Sequence, residues 1–332
     1  MWRQNYSKGG VKSGLFTTFI LIAIAFGVFF NRQIIIDQIN VWQFQPSSEI
    51  SALAERAGID NYGKFLYLAS KPALENSEDF NNSCSSIEDT TSILGCYDNL
   101  KIYIYNVTDT KLDGVREVTA AHEMLHAAYL RMSEDEKVKL GILLEEEYKK
   151  LENDKNFSER MSFYERTEPG QRENELHSVI GTEVADISPE LESHYDQYFS
   201  DRNKVVELNN KYISVFQENQ DRAAELLVQY NILDKSITEK KTAYDLDYKS
   251  LESDILSFNS DVASGAISSQ SQYNREKIAL TSRVAALSAT RSDIINDIDK
   301  QELIKNEYNL IASEIEKLNN SLDSNLAPAP SV

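Results

Sequence analysis

"TAAHEMLHAAY", residues 119 to 129, carries two histidines four apart and a glutamate directly after the first. On a helix, residues i and i+4 share a face, so the His122 and His126 imidazoles project together at zinc-binding distance. Glu123 stands beside the first, where it can take a proton from a metal-bound water. The neighbours Val118, Thr119, Ala120, Ala121, Met124, Leu125, Ala127 and Ala128 are small or apolar, or Thr, so the helix is expected to be buried. Two histidines and a glutamate on a buried helix need a partner that offsets their lost hydration, and a bound cation is one. All four histidines of the chain, 122, 126, 177 and 194, fall in one 73-residue window, as a site would require.

Upstream of this helix, "LKIYIYNV" (100–107) alternates Ile102 and Ile104 with Tyr103 and Tyr105, the period of a strand. "KFLYLAS" (64–70) has the same aromatic content and is expected to be a second strand. "SSEISALAERAG" reads as a short amphipathic helix opened by Pro46 and Ser47 and closed by Gly58. Cys84 and Cys96 are the only cysteines and are expected to form one disulfide if the chain is exported; a metal role would want a histidine near them in sequence, and none is there.

Both ends of the chain differ from this middle part. Gly14 to Phe30 is a run of 17 residues without a charge, preceded by Arg3, Lys8 and Lys12 and followed by Arg32. As a helix it would cover roughly 25 Å. Three basic residues and no acid before it favour a cytoplasmic N-terminus (1–13) and an exported remainder. Phe29, Phe30, Asn31 and Arg32 are not the small residues of a cleavage site, so 14–30 reads as an uncleaved transmembrane anchor rather than a signal peptide. From residue 190 to 327 the chain has no proline and one glycine, Gly265. Heptad stripes run through Leu226, Ile237, Tyr248 and Leu251, and again through Val284, Leu287, Ile294, Ile298 and Leu318. Two such runs joined by a Ser- and Gly-containing break describe an antiparallel coiled-coil hairpin over 201–322, with a parallel dimer as the other reading of the heptads. A tail at 323–332 is expected to be disordered.

The 119–129 stretch resembles the active-site helix of the zincin metallopeptidases. Met132 stands where the metzincin-type third histidine would fall, so the chain is more similar to the gluzincin branch, whose third zinc ligand is a glutamate on a later helix. "RENELHSVIGTEV" (172–184) carries the Asn174-Glu175 pair that resembles the start of that helix, with Gly181-Thr182 as the small residues after it. The departure is the spacing, since 48 residues separate His126 from Glu175. The resemblance spans roughly residues 100 to 185 and implies an α+β fold with a zincin-like domain at 45–200. It implies Zn2+ held by His122, His126 and Glu175, with Glu183 as the alternative ligand and Glu123 as the base. His177 is then an alternative ligand, an oxyanion-stabilising group or an ordinary buried histidine. Tyr164 is an oxyanion donor or a packing residue, and His194 is read as structural.

A formal net charge of −19 repels phosphate backbones, so no nucleic-acid partner is expected. The function expected is that of a membrane-anchored, extracytoplasmic zinc peptidase acting on a peptide or protein substrate, cell-wall peptide included. The strand Lys101 to Val107 would align that substrate, and a protein partner would bind the hairpin. The competing expectation is a non-enzymatic anchored scaffold or adhesin with a degenerate zincin-like domain.

Overall fold

The computed structural model describes residues 10–84 and 93–325, and helices make up 78% of them. Positions 1–9 of the expected cytoplasmic segment and 326–332 of the expected tail lie outside the described residues.

Helix α1 (Gly10–Phe30) leads into α2 (Arg32–Gln43). No single helix among the described residues is long and apolar enough to cross a membrane; Thr18–Phe30 and Arg32–Gln43 meet that condition together, bent by 70°. Helix α3 (Ser48–Arg56) starts where the Ser47 hydroxyl accepts from the Ile50 amide, and Gly58, at φ 74°, carries the chain away from it.

The next segment departs from expectation. "KFLYLAS" is not a strand but part of α4 (Asn61–Ala69). Asp60 caps it by accepting from the Gly63 amide at 2.7 Å, and Gly63, Leu66 and Tyr67 form its buried face. Cap and three-to-four spacing outweigh the strand preference of Phe and Tyr, because β propensity reflects burial on a pleated face that this segment never meets.

Strand β1 (Ala73–Glu75), helix α5 (Ser77–Ser83), and strands β2 (Gly95–Asp98) and β3 (Lys101–Tyr105) follow. The sheet runs β1-β3-β2, with β1 parallel and β2 antiparallel to β3. Ile102 and Ile104 of β3 are fully buried, as their alternation requires. A disulfide between Cys84 and Cys96 ties the end of α5 to β2.

Helix α6 (Val115–Arg131) carries the two histidines through the centre of this unit, against α3, α4, β2 and β3. It opens at Gly114, whose φ of 108° and 2.7 Å approach of a would-be Cβ to the Leu208 carbonyl suit only glycine. Glu117 in its first turn and Arg131 in its last complement the helix dipole. After it, a Ser133–Glu136 capping box starts α7 (Glu134–Leu151), followed by α8 (Lys155–Thr167), α9 (Arg172–Glu183) and α10 (Pro189–Tyr195). Helices α6 and α9 pack closely because Gly181 has no side chain: a Cβ there would sit 2.5 Å from Leu125 Cδ1.

Two long helices, α11 (Asn203–Ser264) and α12 (Gln270–Leu322), complete the chain. The chain divides into one compact unit of residues up to 215 together with those from 318, and a second of residues 216–317. Within the second unit the helices run antiparallel: Arg222 pairs with Glu307, Lys240 with Asp297, and Arg283 with Asp247 and Asp254. Phe258 meets Tyr273 beside the turn at Gly265, with ring centres 5.5 Å apart. The expected antiparallel hairpin is therefore present within this chain. Leu226, Ile237, Leu251, Leu287 and Ile294 are buried in its seam, whereas Tyr248, Val284 and Ile298 of the expected stripes are exposed. A seam between two helices covers only a narrow stripe of each.

Candidate metal centre

His122 and His126 face the same way from α6, with ring centres 4.7 Å apart. A ligand nitrogen from each and a carboxylate oxygen of Glu123 all lie within 4.8 Å of one another, a group that could hold a metal ion. From α9, Glu175 turns its carboxylate toward both histidines. One oxygen stands 3.8 Å from His122 Nε2 and the other 3.5 Å from His126 Nε2. Ligands of a tetrahedral ion with bonds of about 2.1 Å stand about 3.4 Å apart, and the two nitrogen–oxygen separations, to different oxygens of Glu175, are of that order.

Unsatisfied chemistry points the same way. Glu175 is 1% exposed, yet neither of its oxygens has a hydrogen-bond partner, and Glu123 Oε2 is buried and unpartnered too. Orphaned buried carboxylate oxygens carry a desolvation cost that a cation removes. The rings are also oriented for it. His126 Nδ1–H donates to Asn174 Oδ1 at 3.0 Å, with Ser178 Oγ 3.2 Å from the same nitrogen. That tautomer leaves the lone pair of Nε2 toward Glu175, the usual outer support of a metal-ligating histidine. Asn174 thus acts through His126.

The charges are tightly balanced. Burial works against protonating His122, but the nearby carboxylates of Glu175 and Glu123 outweigh it and hold its pKa above the ordinary value. Burial prevails at His126, whose pKa falls. Glu123 is pushed up to about 8, by burial first, against the pull of His122. Burial also opposes charge on Glu175, yet His126 and His122 keep it below the usual carboxylate range.

Tyr164 of α8 stacks on His122, ring centres 6.3 Å apart, and joins the group. Glu183 does not: its carboxylate is taken up by Arg160 of α8. His177 does not either. It is fully buried and lies among Tyr129, His194, Tyr195 and Tyr198, with its Nε2 3.0 Å from His194 Nε2. Two residues beyond Glu175 on a helix is about 200° of rotation, which turns it to the other side of α9. His194, at the edge of this aromatic cluster, is a packing partner of His177.

Two contributors went unread in the sequence. Glu168, just before α9, lies against Glu175, and burial followed by that neighbour raises it to about 7. The acid preceding Pro169-Gly170 was its only signal. Gly95 of β2 faces Glu123 so closely that a Cβ would lie 2.6 Å from Oε1. This bears on the expectation for β3. β3, expected to align an extended peptide, has β1 on one side and β2 on the other, so its backbone edges are used. β2 is the strand at the sheet edge nearest the group.

No family model, curated protein or solved structure matches this chain.

Proposed function

We propose that this chain is a membrane-anchored zinc peptidase of gluzincin-like design. The observation that carries the reading is the convergence of Glu175 on the two helix-borne histidines, with both its oxygens otherwise unpartnered. His122, His126 and Glu175 would hold the metal. Two nitrogens and one carboxylate are the donor set of catalytic zinc, which leaves a fourth position open. Zinc bound there supplies Lewis acidity and lowers the pKa of a coordinated water.

The remaining work falls to the protein. Glu123, adjacent to the ligands, is the base that takes the proton of the attacking water and hands it to the departing amine. Its elevated pKa in the metal-free protein comes down once a cation offsets the neighbouring carboxylates. Tyr164, held against His122 with its own pKa raised well above the ordinary value, keeps its proton and can donate to a developing oxyanion. An extended peptide would add along β2, whose own backbone Gly95 brings against Glu123. The apolar run from Gly14 to Phe30 supports anchoring, with the catalytic unit and hairpin outside the cytoplasm. The hairpin is offered as the surface for a protein partner.

The test is digestion of an unbiased peptide library by the full-length protein in detergent, beside Glu123→Gln. The wild type is expected to cleave, and the variant to retain metal but lose at least about 100-fold in rate. Bound metal with no cleavage by the wild type would favour the scaffold reading instead.

A further inference from the structure

Helix α2 is built inside out. Its face toward the protein is polar. Asp37, 2% exposed, receives Arg131 Nε and Nη2, each at 2.8 Å, and Gln33 Nε2 donates to it at 3.0 Å. One turn on, Asn40 Nδ2 donates to the Ala69 carbonyl at 3.1 Å. The opposite face carries Ile35, Ile39 and Trp42, spaced i, i+4, i+7 and exposed by 39%, 41% and 77%. Ile34 and Ile36 flank them, also exposed. A helix on a protein surrounded by water turns its apolar stripe inward and its polar residues outward. Here the arrangement is reversed, which suits a surrounding medium that is itself apolar.

The preceding helix identifies that medium. α1 ends one residue before α2, is apolar from Phe19 to Phe30, and meets α2 at a 70° bend. If α1 enters a bilayer near its normal, a helix turned by that angle lies close to the membrane plane. Arg32 at its start and a tryptophan on its outer face are residues that favour the headgroup level. We propose that α2 is an interfacial helix, with Ile35, Ile39 and Trp42 embedded at the boundary between headgroups and acyl chains of the bilayer that α1 enters. The proposal rests on the anchor reading for the presence of that bilayer, but concerns a different surface. Its consequence for the site is mechanical. Arg131 ends the helix that bears His126, five residues earlier, or about 7.5 Å along the axis. The Asp37–Arg131 pair therefore fixes the height of the candidate metal centre above the membrane surface.

Trp42 reports on this directly, since the only other tryptophan is Trp2. The full-length chain carrying Trp2→Phe is reconstituted into vesicles of phosphatidylcholine and phosphatidylglycerol containing lipids brominated at shallow or deep acyl positions. The expected result is blue-shifted Trp42 emission, quenched more by shallow than by deep bromines and protected from aqueous acrylamide. Retention on the vesicles after an alkaline carbonate wash, with Trp42 quenched by acrylamide and untouched by brominated lipid, overturns the interfacial helix while the anchor stands. Release by the wash together with unquenched Trp42 overturns both. Blue-shifted emission that ignores brominated lipid but depends on protein concentration assigns the face to a second copy of the chain, and overturns the proposal as well.

Discussion

His177 and His194 are the residues whose chemistry is most sensitive to pH outside the candidate metal centre. Their Nε2 atoms, 3.0 Å apart, can share a single proton as long as one ring stays neutral to accept it. Burial holds His177 well below the ordinary histidine value, and pushes His194 down to about 4. Both folded-state values lie below the unfolded one, so the unfolded chain binds more protons as the pH falls below about 6.5. Stability from His194 is thus complete at neutral pH and lost as the pH falls towards 4, with about 2 kcal/mol gone by pH 5. Metal-free protein should melt lower at pH 5 than at pH 7, and His194→Gln should flatten that slope; an unchanged slope contradicts the assignment. Gly95 carries a second prediction at this scale. A methyl group there would meet Thr119 Cγ2 at 2.5 Å and Glu123 Oε1 at 2.6 Å, so Gly95→Ala is expected to cost about 1–3 kcal/mol. A wild-type melting curve for this variant would show that β2 yields to make room. The histidine pair on α6 was legible because i, i+4 is a local pattern. Gly95, Glu168 and the Arg160–Glu183 pair were not, because each acquires its role from a residue that only folding brings near.

Among the elements, α6 and α9 form the candidate centre and α2 steadies one end of it. Arg131 and Asp37 have side chains 8% and 3% exposed, so removing either leaves a buried charge. Tyr97 Oη at 2.9 Å and the Ala127 carbonyl at 2.8 Å still accept from Arg131, but neither carries a charge to match. Asp37→Ala is expected to destabilise the protein by about 3 kcal/mol, read by denaturant unfolding of the full chain in detergent. A change within about 0.5 kcal/mol would mean that water reaches the guanidinium. Legibility at this scale follows how local the deciding contacts are. The caps of α3, the alternation in β3 and the breaker-free run of the hairpin were all readable. α4 was misread because Phe65, Tyr67 and their neighbours carry strand propensity, while the Asp60 cap and the burial of Leu66 decide for helix. The inverted polarity of α2 was out of reach, since nothing before Arg131 indicates that Asp37 has a partner.

For the whole molecule, two compact units of different construction share one chain. The first builds a buried polar centre inside an apolar core, and the second is a helical pair laced by cross-helix ion pairs such as Arg222–Glu307. Exposed pairs of this kind contribute little each, so the hairpin relies on its narrow apolar seam. On the proposed reading the first unit holds a metal between α6 and α9. Metal content per chain, measured by mass spectrometry on the purified full-length protein and four variants, tests it most directly. About one divalent ion is expected in the wild type, retained by Glu123→Gln and Glu183→Gln, strongly reduced in Glu175→Gln and absent from His126→Ala. Metal that survives in His126→Ala, or that leaves with Glu183→Gln but stays with Glu175→Gln, would contradict it.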